Sequence, residues 1–107
     1  MPFNSSLQTG NGNATITLSG ELDAAAAPQF RTDIEQAAAV KPERLILVMS
    51  DLTYMASAGL RALIFAKQKM GEQVDIYVIA AQPTVLETIQ LTGFDKSCIL
   101  QDKYEAA

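Results

Sequence analysis

Apolar and polar positions change rhythm along this chain, and each rhythm predicts an element. From Ala14 to Ser19 they alternate, with Ala14, Ile16 and Leu18 on one face and Thr15, Thr17 and Ser19 on the other. A period of two predicts a half-buried strand. Phe3–Gln8 is a weaker strand ahead of it, and Thr9-Gly10-Asn11-Gly12-Asn13 between them is built from residues that tolerate positive φ. Phe3–Ser19 therefore reads as a hairpin. Leu45-Ile46-Leu47-Val48-Met49 is an unbroken, branched apolar run, which predicts a strand buried on both faces.

Between these strands the period lengthens. A helix is predicted from Ala25 or Ala26 to Val40, with Pro28 in its first turn, Lys41-Pro42 as its stop, and Phe30, Ile34, Ala37 and Ala38 on one face. After the apolar run, Asp51–Arg61 reads as a strand-to-helix turn leading into a helix that ends at Met70. Around that helix Leu60, Leu63, Ala66, Lys67 and Met70 share a side, with Arg61, Phe65 and Gln68 roughly opposite. Phe65 is thus out of phase with the core stripe. Either a neighbouring loop covers it, or it stands exposed as an apolar anchor for a partner.

Val74–Ala80 is a further strand, and Gln82-Pro83-Thr84 opens a helix whose inner face is Val85, Leu86 and Ile89 and whose C-terminal cap is Gly93. Lys96–Gln101 is a last short strand, and Asp102–Ala107 allows one final helical turn. Strands that alternate with helices imply right-handed crossovers and a mainly parallel sheet, here with an antiparallel N-terminal hairpin at its edge. The expected class is a single α/β domain over residues 1–107.

Composition narrows the function. Hydrophobic residues at 49% argue for a compact globule rather than disorder. A net charge of -4 without a basic patch makes a poor binder of nucleic acid or anionic membrane. The absence of histidine excludes a serine–histidine triad and histidine metal ligation within the chain. Cys98 stands alone, which excludes an internal disulfide or a zinc cluster, and its place in a late strand reads as a buried, inert thiol. Apolar runs fall short of the roughly 18 residues that span a bilayer, so no direct membrane insertion is expected and a cytoplasmic location is.

Candidate chemistry gathers where such sheets place their sites, at the carboxyl ends of the strands. The loops Gly20–Ala24, Ser50–Ala58 and Ala81–Thr84 are expected to bring Asp23, Asp51, Ser57 and Thr84 into one region with Tyr54 and Met55. Ser57 sits at a helix N-terminus, among unpaired N–H groups and the positive end of the dipole. It reads either as an N-cap or as a phosphoacceptor. No histidine is present to activate it as a hydrolase nucleophile. Asp23 and Asp51 could form a metal-binding pair, but pinning the turn and the first helix is the simpler reading. Gly59, inside a first helical turn, implies either an N–H offered outward or close packing on a neighbouring strand. No phosphate-binding glycine motif or other cofactor signature is present.

Gly20-Glu21-Leu22-Asp23, the buried strand, and Asp51-Leu52-x-Tyr54-Met55-x-Ser57-Ala58-Gly59-Leu60-Arg61-x-Leu63 together resemble the STAS domain of bacterial anti-sigma-factor antagonists. The resemblance covers essentially the whole chain. It implies a non-enzymatic switch in transcription regulation that binds an anti-sigma factor, itself a serine kinase of the GHKL type, and so frees a sigma factor. The kinase phosphorylates a serine at this turn, and a phosphatase resets it. The family's usual acceptor immediately precedes the glycine, where this chain has Ala58, and its preceding aspartate is here Ala56. Phosphorylation must therefore fall on Ser57 or be absent. The partner surface so implied comprises Asp23, Asp51, Tyr54, Met55, Ala56, Ser57, Ala58 and Gly59, continuing along Arg61, Phe65 and Gln68. The alternative that the resemblance carries is an unphosphorylated accessory subunit of a lipid-trafficking ABC transporter. A phosphotransfer receiver accepting on Asp51 lacks the acidic pair and late lysine that it needs, and an enzyme lacks both cofactor motif and basic cleft.

Overall fold

In the computed structural model, which describes residues 2–105, a five-stranded sheet runs in the order β1-β2-β3-β4-β5. The strands are β1 (Asn4–Gly10), β2 (Asn13–Leu22), β3 (Arg44–Met55), β4 (Asp75–Ile79) and β5 (Ile99–Gln101). β1 and β2 are antiparallel; every other pair is parallel. The hairpin closes on Asn11 (φ 54°) and Gly12 (φ 81°), the two consecutive positive-φ residues of a tight Asn-Gly turn.

Three helices make the crossovers: α1 (Ala27–Ala39), α2 (Ser57–Met70) and α3 (Pro83–Leu91). Parallel crossovers are right-handed, so a strand order that advances in one direction keeps all three helices on one side of the sheet. Their inward residues show it. Phe30, Ile34 and Ala37 of α1, Leu60, Leu63 and Ala66 of α2, and Val85 and Ile89 of α3 share one core with Ile16, Leu18, Leu45, Leu47, Met49, Ile76 and Val78. The alternate positions Ile46, Tyr77 and Ile79 face the other way and are covered in part by Tyr104.

The predicted order of elements holds, with corrections at their ends. β3 runs to Met55 rather than stopping near Met49, because the extension of β2 to Leu22 supplies partners: Asp51 lies opposite Ser19, Tyr54 opposite Glu21 and Met55 opposite Leu22. The register slips between Thr17 and Ser19 and again between Gly20 and Glu21, beside Gly20 at φ 82°, as at a β-bulge. The other flank of β3 loses its neighbour after Val48, opposite Ile79. The last strand begins only at Ile99, since Phe94–Ser97 folds as a 3-10 turn after Gly93 (φ 79°). No helical turn forms over Asp102–Glu105, and Ala106 and Ala107 lie outside the described residues.

Candidate functional site

The paired ends of β2 and β3 project past β4 and carry α2 directly. The joint between β3 and α2 is a single residue, Ala56, in extended conformation (φ -80°, ψ 169°). Its N–H donates to the Leu22 carbonyl at 2.9 Å, and its own carbonyl accepts the N–H of Leu60 at 3.1 Å. The start of α2 is thus tied to the last residue of β2. Neighbouring contacts brace the projecting strand. Thr53 Oγ1 donates to the Gly20 carbonyl at 3.1 Å, and Gln82 Nε2, at the start of α3, donates to the Ser50 carbonyl at 2.8 Å.

The candidate residues divide by position. Asp23 fixes the turn that leads into α1: its Oδ1 accepts the N–H of Ala26, the N-cap residue, at 2.9 Å, and its carbonyl accepts the N–H groups of Ala26 and Ala27. That is the simpler of its two expected roles. Asp51 is exposed on β3 opposite Ser19. It does not pin the turn as expected, and strand pairing sets it back from Asp23 by four residues, about 13 Å at strand rise. The anticipated gathering of Asp23, Asp51, Ser57 and Thr84 is therefore looser at Asp51. Among the described residues no group of three or more acidic or cysteine side chains could hold a metal ion.

Two residues expected on the contact surface lie beneath it. Met55 is only 3% exposed, because the register shift between Leu52 and Tyr54 breaks the alternation of β3 and turns Met55 into the core along with Leu52. Gly59 is buried too, and a β-carbon there would stand 2.7 Å from Leu22 Cγ and 3.1 Å from Met55 Cγ. Of the two reasons foreseen for Gly59, close packing on a neighbouring strand is the one realised.

Ser57 is exposed as the first residue of α2, and the helix start has no side-chain cap. Ala56 holds the N-cap position, so Ser57 is not the N-cap. Ala56 and Ala58 are half-buried on either side of it, and Tyr54 is 50% exposed nearby on β3. From Ser57, exposed residues recur at intervals of four, three and four: Arg61, Ile64 and Gln68. They form one stripe along the helix.

Phe65 lies beside this stripe rather than on it. The Arg31 guanidinium of α1 sits 4.3 Å from its ring centroid, and the ring packs partly against the core. A cationic side chain from a helix, not a loop, covers it. Ile64, 40% exposed, is the apolar residue of the stripe. Sequence reading passed over it, although its spacing of seven from Ser57 was the available signal.

A family model described as the STAS domain matches residues 4–107. The chain belongs to the STAS domain family. A relative from Mycobacterium tuberculosis, named anti-sigma-F factor antagonist RsfB, is 30% identical over 87 residues, covering 81% of this chain and 71% of that protein. Among solved structures, an anti-sigma factor antagonist from Mycobacterium paratuberculosis superposes with a TM-score of 0.87 at 27% identity, covering 95% of this chain and 87% of the other. SpoIIAA of Bacillus in its unphosphorylated form gives a TM-score of 0.78 at 22% identity, covering 91% and 87%, a likeness of fold.

Within this STAS domain, then, the exposed start of α2 and the stripe that follows form the accessible part of the candidate site. No helix of the described residues is long and apolar enough to cross a membrane.

Proposed function

We propose that this STAS domain is an anti-sigma-factor antagonist, which binds an anti-sigma factor through the start of α2 and so releases a sigma factor. The observation that carries this reading is the exposed surface of Tyr54, Ser57, Arg61, Ile64 and Gln68, whose helix start is tied to β2 by the bond from Ala56 N–H to the Leu22 carbonyl. Half-buried Ala56 and Ala58 leave the backbone open to close approach. The names of its relatives point the same way. A regulatory binding role needs no catalytic group of its own.

The partner is an anti-sigma factor that is also a serine kinase, and Ser57 is the residue it would modify. A phosphate there would meet the positive end of the α2 dipole and its free N–H groups. It would also place about two negative charges in the middle of the contact surface. The fold would tolerate the modification, and the complex would not.

The test is binding of purified anti-sigma kinases from the source genome to wild-type protein and to Ser57→Asp, with intact-mass and phosphosite analysis after incubation with ATP. One kinase should bind the wild type, bind Ser57→Asp more weakly, and add a single phosphate at Ser57. Equal binding of both proteins would defeat the switch. Binding without phosphate would leave a constitutive antagonist.

A further inference from the structure

Ile64 and Gln68 do more than continue the stripe from Ser57. With Lys67 they form one wall of a groove of about 240 Å³, whose other wall is Thr92, Phe94 and Ser97, at the end of α3 and in the 3-10 turn. Next to Thr92 in the chain stands Leu91, the most exposed large apolar side chain at 80%. Ile64 thus borders a shallow apolar slot that is continuous with the proposed contact surface, and exposed Leu91 stands one residue along the chain from its far wall. Isolated exposed apolar residues are ordinary, whereas an apolar groove on the flank of a proposed interface is not.

Charge says what the groove takes. The whole chain has 12 acidic against 8 basic residues, yet α2 carries Arg61, Lys67 and Lys69 and no acidic residue. Lys67 and Lys69 lie in the last turn, where they complement the helix dipole. Arg61 lies just past the first turn, where the dipole offers a cation nothing. Arg61 and Lys67 thus stand on the two sides of the Ile64–Gln68 stripe, Lys67 in the wall of the groove itself, on a protein that is acidic overall.

We propose that this groove receives an acidic amphipathic helix of the anti-sigma factor, one apolar side chain entering beside Ile64 and Phe94 and its carboxylates facing Arg61 and Lys67. This extends the proposed function and rests on it. A helix laid in a groove between helices, anchored by spaced apolar residues, is a common mode of recognition. The polar ends of Gln68, Thr92 and Ser97 would supply the rim.

Calorimetric titration of the full chain against the anti-sigma kinase that binds it, at low and high salt, tests this. Ile64→Glu and Leu91→Glu should each weaken binding by roughly tenfold or more, as for a buried anchor, with thermal unfolding unchanged because both positions are exposed. Lys67→Glu should weaken binding and reduce its dependence on salt. If Ser57→Asp loses affinity while Ile64→Glu and Leu91→Glu match the wild type, the groove lies outside the footprint and the proposal falls, while the proposed function stands. If no variant changes affinity, both fall. An unchanged salt dependence in Lys67→Glu overturns the acidic occupant. Self-association of the wild type abolished by Ile64→Glu would identify a second copy as the occupant and overturn the proposal as well.

Discussion

Gly59 lies so close to Leu22 that a β-carbon on it would stand 2.7 Å from Leu22 Cγ. The first turn of α2 therefore rests directly on the end of β2, and a methyl group there would force them apart. Gly59→Ala should destabilise the domain by about 1–3 kcal/mol from overpacking, more than the 0.5–1 kcal/mol that alanine ordinarily gains over glycine in a helix. Urea unfolding measures this directly. Leu22→Ala alone should cost about 2–5 kcal/mol, and in that background Gly59→Ala should cost much less. Additive costs would mean that the two residues do not meet as described.

At Ser57 stability and binding should part company. The hydroxyl caps nothing, so Ser57→Ala should change stability by no more than about 0.5 kcal/mol. Ser57→Asp places a carboxylate at the positive end of α2 and should stabilise the fold by about 0.3–1 kcal/mol, while weakening the complex with the anti-sigma factor. Thermal unfolding and calorimetric binding on the same samples separate the two effects. A destabilised Ser57→Asp would contradict the exposed setting of this residue.

Ala56 has the extended backbone of an N-cap but no oxygen to accept a bond from the first turn. Ala56→Asp should therefore stabilise the domain by about 1 kcal/mol. A gain that vanishes once the pH falls below the carboxylate's range would show that the cap acts through its charge.

Cys98 is half-buried beside β5. Burial first, and the carboxylate of Asp95 second, push its thiol from 9.0 up to about 11, against the opposing pull of Lys67. Alkylation by iodoacetamide at pH 8 should thus be slow and should climb only towards pH 11. Asp95→Asn should bring that rise to lower pH. The linked contribution to stability has a definite sign: a folded-state value above the unfolded one favours the native state fully below pH 9.0 and is lost as pH rises towards about 11.

Tyr77 is fully buried, and its ring meets Tyr104 edge to face at 5.0 Å between centroids. Its hydroxyl is buried without a partner among the described residues. Removing an unpaired buried hydroxyl also removes its desolvation penalty, so Tyr77→Phe should be neutral or stabilising by up to about 1–2 kcal/mol. A clear loss of stability in chemical denaturation would reveal a bond to that oxygen.

Much of this architecture could be read without coordinates, because local chemistry decides it. Asn11-Gly12 specifies its turn by positive φ, Pro28 and Pro83 mark helix starts, Gly93 marks a helix end, and the period-two face of β2 marks its core side. The resemblance to STAS domains likewise rested on side chains next to one another in sequence, from Asp51 to Leu63. Tertiary pairing alone decided the rest. Ser50–Tyr54 lacks an apolar run and becomes strand only because β2 bends through a bulge to meet it. A helical wheel places Phe65 and Ile64 within one step of each other but cannot say on which flank α1 will lie. Arg31, far away in sequence, covers one of them and leaves the other in solvent. Met55 and Gly59 sink below the surface for the same reason: burial depends on which neighbour arrives, and that neighbour comes from the far end of another strand.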